Sequence, residues 1–147
     1  MATRIERAVK KFKAGAAEFS KTVVPVEFVS FQKLVAFDLL ERLVLKTAVD
    51  LGGARGNWQL TIGTPASGTT GRVGGGAEAE ADRGTEGKAG ADAINAASAV
   101  LASLKPFQTV YITNNLKYIE PLEKGSSSQS PEGMIAVSLE EVNLIFG

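Results

Sequence analysis

The sequence predicts an α+β fold: a small antiparallel sheet packed by long N-terminal helices, a middle helix and a C-terminal helix, with a long Gly-rich loop. Three observations predict it. Apolar residues recur at helical spacing through most of residues 5–46, again over 92–104 and again over 135–146. Two short segments, 57–63 and 109–114, alternate apolar and polar residues with the period of a half-buried strand. Residues 64–90 are rich in Gly, Ala, Thr and charge and carry almost no large apolar side chain besides Val73. The 147 residues suffice for one domain, 1–147, with 64–90 as its flexible loop.

The first helix is read from Ile5, Val9, Phe12, Ala16 and Phe19, which form one stripe opposite Lys10, Lys11 and Lys13. Its stripe packs either on the chain's own core or on a neighbouring subunit. The run Thr22–Pro25 is expected to interrupt it, because Pro25 lacks an N–H and suits the first turn of a second helix. That second helix is expected over 25–46, with Val26, Val29, Lys33, Phe37, Leu40 and Val44 on one face and Lys46 complementing its C-terminal dipole.

A turn follows at 50–53, where Gly52 and Gly53 can take positive φ. The strand 57–63 points Trp58, Leu60 and Ile62 one way, and Trp58, the single Trp, reads as core. The strand 109–114 is expected to pair with it. A loop as long as 64–90 is uncommon inside a compact domain and is expected to order on docking to a neighbour. The middle helix over 92–104 carries Ile94, Ala97, Val100, Leu101 and Leu104 and is ended by Pro106. A short helix is expected from near Leu116, ended by Glu123 and Gly125. Ser130 as N-cap, Pro131 at the first position and Glu132 in the first turn predict the start of the last helix. Its stripe would be Ile135, Leu139, Val142 and Ile145 or Phe146.

Composition excludes several kinds of chemistry. There is no Cys and no His, which removes disulfide frameworks, zinc–thiolate sites, Ser-His-Asp triads and Cys-His dyads. Lys+Arg and Asp+Glu are both 16, so surplus cations for general nucleic-acid binding are lacking. The charge is polarised: residues 1–50 carry +3, 51–104 carry −1 and 105–147 carry −2. The opening MATRIERAVKKFK has no apolar core of a signal peptide, and no run approaches the roughly 18 apolar residues of a membrane span. Gly84–Lys88 hints at a phosphate loop, but Asp82 and Ala89 occupy the positions where that motif needs Gly and Ser/Thr. Acidic pairs such as Glu120 and Glu123, or the group Glu78, Glu80 and Asp82, match no calcium loop and read as solvated charge. No catalytic residue, metal or cofactor is expected.

Two stretches carry a resemblance. Thr47–Trp58 reads TAVDLGGARGNW, and Tyr111–Met134 reads YITNNLKYIEPLEKGSSSQSPEGM. In order and separation they resemble the neck, or tail-completion, family of long-tailed bacteriophages, through Asp50, Gly52, Arg55, Asn57 and Trp58 in the first and Asn114, Asn115, Tyr118, Glu123, Gly125, Ser128 and Gln129 in the second. Departures from the family pattern fall at Ala48, Leu51, Lys117 and Ser130, which are turn and cap positions and bear on loop geometry rather than fold. Asp50 can bond turn amides or pair with Arg55. Arg55, Ser128 and Gln129 either hold the fold or touch a neighbouring subunit. The resemblance implies a structural virion protein, not an enzyme, forming a homo-oligomeric ring, a hexamer, in the neck. Such a ring would be assembled in the host cytoplasm and join the head-closure complex to the tail-terminator and tail-tube proteins. Genomic DNA would pass through it without sequence-specific binding, and no membrane is involved. The alternative within this resemblance is a tail terminator capping the tube.

Overall fold

The computed structural model describes residues 3–49, 52–72 and 87–147. Among them the fold is small and α+β: α1 (Arg4–Lys46), α2 (Gly53–Gly56), β1 (Gln59–Ile62), α3 (Gly87–Ala102), β2 (Val110–Thr113), α4 (Ile119–Glu123) and α5 (Ile135–Phe146). The two strands pair antiparallel, Leu60 opposite Ile112 and Thr61 opposite Tyr111, as their alternation predicts.

The expected break at Thr22–Pro25 is absent. One helix of 43 residues runs through Pro25, about 65 Å at 1.5 Å per residue. Pro25 cannot donate to the Lys21 carbonyl, a loss of a few kcal/mol in a buried helix. Here Lys21 is exposed, so water can satisfy that carbonyl. Thr22, Val23, Val24 and Val26 beside Pro25 are weak helix formers, so continuity here rests on the long helical segments to either side, which need no new nucleation, rather than on local propensity. Thr22 and Ser30 turn their hydroxyls back onto the carbonyls of Glu18 and Val26. The helix begins on a capping box: Thr3 Oγ1 accepts from Glu6 N at 3.1 Å, and Thr3 N donates to Glu6 Oε2 at 2.6 Å.

The core forms on the C-terminal half of α1. Ala36, Leu40, Leu43 and Val44 meet Trp58 and Leu60 of the first strand region, Met134, and the Ala93, Ala97 and Leu101 face of α3. Alanines at i and i+4 bring the α3 backbone close to its neighbours, while Ile94 and Val100 flank that contact. α3 begins at Gly87, five residues earlier than expected. The loop predicted over 64–90 thus divides: 87–90 is helix, 73–86 lies outside the described residues, and 64–72 is irregular backbone with specific anchors. Thr70 N donates to Asn57 Oδ1 at 2.8 Å, Thr70 Oγ1 to the Gly56 carbonyl at 2.9 Å, and Gln59 Nε2 to the Gly68 carbonyl at 2.6 Å.

α5 lies antiparallel along α1. Glu141 is paired with Arg42 and Lys46, Asp38 also holds Arg42, and further along Phe146 meets Phe31 edge-on at 6.0 Å. Its predicted stripe is only partly core. Ser138 and Val142 face inward, whereas Ile135, Leu139 and Ile145 are exposed. Its start also differs from expectation. Ser130–Gly133 forms a turn closed by Gly133 N to the Ser130 carbonyl, and the helix begins at Ile135. The Ser-Pro-Glu signal suits the first residues of such a turn as well as a helix cap, and tertiary contacts select the turn.

Candidate interaction surface

Residues from both motif blocks meet where α1 stops. A helix leaves its last carbonyls without partners, and at α1 side chains from both sequence blocks supply them. Arg55 Nη2 donates to the Leu45 carbonyl at 3.1 Å and Arg55 Nε to the Thr47 carbonyl at 2.8 Å. Ser130 Oγ donates to the Lys46 carbonyl. Thr47 Oγ1 donates back to the Leu43 carbonyl at 2.5 Å and accepts Trp58 Nε1–H at 2.8 Å. One step on, Gln129 clamps Val49 by both backbone groups, with Oε1 to N at 3.0 Å and Nε2 to O at 2.9 Å. Arg55 is 5% exposed, and its bonds to the Leu45 and Thr47 carbonyls set its guanidinium against the negative end of the α1 dipole.

The other motif residues fix the chain around this knot. Asn57 Nδ2 donates to the Gly53 carbonyl at 2.8 Å, and Asn114 Nδ2 to the Ala54 carbonyl at 2.8 Å. Asn115 Nδ2 bonds the carbonyls of Ala66 and Gly68 at 2.8 and 3.0 Å, tying β2's exit to the irregular segment after β1. Gly52 takes φ 72° to start α2. Tyr118 is half exposed, its hydroxyl oxygen close to Gly53. Ser128 is exposed. Asp50 lies outside the described residues, and so does its expected pairing with Arg55.

Glu123 performs the matching task at α5. Its carboxylate accepts from Met134 N at 2.8 Å, Ile135 N at 2.7 Å and Ala136 N at 3.0 Å, the free amides of the helix start. Burial opposes its charged form, but the bonds from Ile135, Ala136 and Met134 outweigh that and hold its pKa below the usual carboxylate range. Two glycines make the approach possible. Gly125 has φ 80° and its missing Cβ would stand 2.2 Å from the Pro131 carbonyl oxygen; Gly133 has φ 77° and its Cβ would stand 2.2 Å from the Glu123 carbonyl oxygen. Glu120, the other member of the acidic pair, is bound to Lys124, which lowers its pKa. The two carboxylates are therefore engaged separately. Among the described residues no cluster of His, Cys, Asp or Glu is placed to hold a metal ion, and no helix is long and apolar enough to cross a membrane.

The opposite end of α1 is different. Residues 4–24 are exposed throughout. This arm, roughly 30 Å long, leaves the body carrying Ile5, Val9, Phe12 (77% exposed) and Phe19, all exposed among the described residues. Farther along, Phe28, Phe31, Val35, Leu39, Val110 and Ile112 line an open apolar groove between α1 and β2, with a volume of about 460 Å³. Sequence reading located the stripe but not its exposure, because periodicity marks an apolar face without saying what meets it. The Thr3–Glu6 spacing was the signal that could have placed the start of the arm.

Comparison with family models, with curated proteins and with solved structures gives no match to this chain.

Proposed function

We propose that this chain is a structural, non-enzymatic subunit of a ring at the head–tail joint of a long-tailed bacteriophage. In this reading it resides in the virion neck after assembly in the host cytoplasm, and joins the head-closure complex to the tail terminator and tube while leaving a passage for DNA. The observation that carries self-assembly is the arm. An isolated helix with Ile5, Val9, Phe12, Phe19, Val23 and Val24 in water is a surface made to be covered, and a head-to-tail contact between identical subunits closes into a ring when its rotation allows. The assignment to the neck rests on the two sequence blocks and their resemblance. Those blocks build the α1 and α5 caps, so they fit a role as the frame from which a contact surface is presented, not as the surface itself.

The test is electron microscopy of virions made without this chain. Tails of normal length beside unjoined, filled heads are expected. Overlong tails would transfer the protein to the tail-terminator position, and normal, joined virions would remove it from the neck altogether.

A further inference from the structure

The arm repeats on a seven-residue period, and the repeat alternates in size. Ile5, Phe12 and Phe19 occupy one position of the period; Ala8, Gly15 and Thr22, all smaller, occupy the position three residues on. Large and small side chains therefore alternate along one edge of α1. Between Phe12 and Phe19 the helix surface is notched. Ala8, Phe12, Gly15, Ala16 and Phe19 line the hollow, and Lys11 borders it. Gly15 is the telling residue. A Cβ built on it would meet nothing within 4 Å, and its φ is not positive. Neither its backbone nor any packing among the described residues calls for a glycine, which costs an exposed helix about 1 kcal/mol against Ala. A close approach from outside is what a glycine there permits.

We infer that the arms of two copies of this chain pair antiparallel, with Phe12 of each in the Gly15 notch of the other. That register also sets Phe19 against Ala8 of the second copy and Ile5 against Thr22. Every large side chain meets a smaller one, so the helices keep an even spacing. On one flank of the seam Lys11 faces Glu18 of the second copy, twice by symmetry; on the other, Val9 faces Ala16. A parallel pair would set Phe12 on Phe12 and Gly15 on Gly15, crowding one layer and emptying the next. Residues 4–24 carry six basic and two acidic side chains, a net +4 for each arm. Arg7, Lys10 and Lys21, however, lie on the far side of the helix, about a helix diameter (~10 Å) from the partner, where physiological salt screens them. Thr3 of the second copy falls opposite Val24, short of Phe28, which stacks on Phe107 of the body. The two bodies therefore stand at opposite ends of the pair without collision. The arm is helical from Arg4 onward, so little ordering opposes pairing. A two-fold contact closes at two copies. The pair is thus a state of the free chain; it does not rest on the ring reading and must open before an arm serves a head-to-tail contact.

Sedimentation velocity on the full chain is expected to show a reversible, elongated dimer, with circular dichroism and thermal unfolding at dilution as controls. Gly15→Leu separates the explanations. It adds apolar surface and helix propensity, so docking on a broad apolar surface or a vesicle would hold or tighten. Filling the notch is instead expected to weaken the dimer about tenfold or more, with unfolding of the subunit unchanged or raised. Lys11→Glu is expected to weaken it about fivefold, and adding Glu18→Lys to restore it. Because the chain contains no Cys, Ala8→Cys with Phe19→Cys should cross-link two copies on oxidation, since these positions are about 16 Å apart along one helix. Ala8→Cys alone should not. A Gly15→Leu chain that associates as tightly as wild type overturns the pairing. An Ala8→Cys chain that cross-links as readily as the double variant overturns it in favour of a parallel pair. A wild-type chain that stays monomeric at every concentration overturns it as well, whether or not it binds anionic vesicles.

Discussion

The two ends of α1 belong to one helix and obey opposite rules. At its C-terminal end its last carbonyls are met by side chains: Arg55 serves Leu45 and Thr47, and Ser130 serves Lys46. The helix's own Leu40 and Val44 are buried in one core with Trp58. At its N-terminal end the cap is local, made by Thr3 and Glu6, and the apolar side chains stand in water. The comparison teaches that a recognisable sequence block and an interaction surface can occupy different places on one element. Residues that look distinctive at 47–58 and 111–134 are distinctive because a helix end must be satisfied in a particular geometry. The plainer residues at 4–24 are what a neighbour can touch.

The comparison can be broken most forcefully at Trp58. Trp58→Ala removes a core side chain and orphans the Thr47 hydroxyl as acceptor, with an expected loss of about 3–5 kcal/mol in chemical denaturation. Next is Arg55→Ala, which leaves buried carbonyls at the end of α1 without their charged donor. The expected loss is about 2–3 kcal/mol, and a loss below about 0.5 kcal/mol, the range of ordinary surface changes, would show that Arg55 does not cap α1.

Glu123→Gln weakens the cap of α5 by about 1 kcal/mol and carries a pH signature. Because the folded-state pKa of Glu123 lies below its ordinary value, its contribution is fully present above the unfolded value near ~4.3 and is lost as pH falls through the lowered folded value. Wild type and variant should therefore differ in thermal stability at neutral pH and converge in acid. A difference that stays constant down to strongly acid pH would assign the effect to shape rather than charge. The smallest expected change is at the arm. Phe12→Ser should alter unfolding of the subunit by no more than about 0.5 kcal/mol, as exposed positions do, while light scattering reports weaker assembly. A large loss of subunit stability would mean that the arm packs on its own body.

The residues made much of this legible. Helical periodicity gave the apolar faces of α1 and α3, alternation gave the paired strands, and Gly52 beside Gly53 marked a turn, where Gly52 does take positive φ. Three features were not legible, each because a distant partner decides it. Pro25 reads as a helix start, but the exposed Lys21 carbonyl tolerates the missing donor and the helix continues. Ser130 reads as the cap of the helix that follows it, whereas it donates to the end of α1, 84 residues earlier, and Glu123 caps α5 instead. Asn57, Gln59 and Asn115 fasten residues 66–70, which composition alone presents as loop.

What the sequence determined by itself is local: where helices and strands can form, which side chains are apolar, and a +4 arm set against a −4 remainder. Those follow from residue type and period and need no partner. What only the tertiary structure decided is which apolar stripe is covered and which polar group closes which helix. Both depend on three-dimensional proximity between segments far apart in the chain. The stripe on 36–44 is buried because Trp58, α3 and Met134 arrive there; the stripe on 5–19 stays exposed because none of the other described residues packs on it.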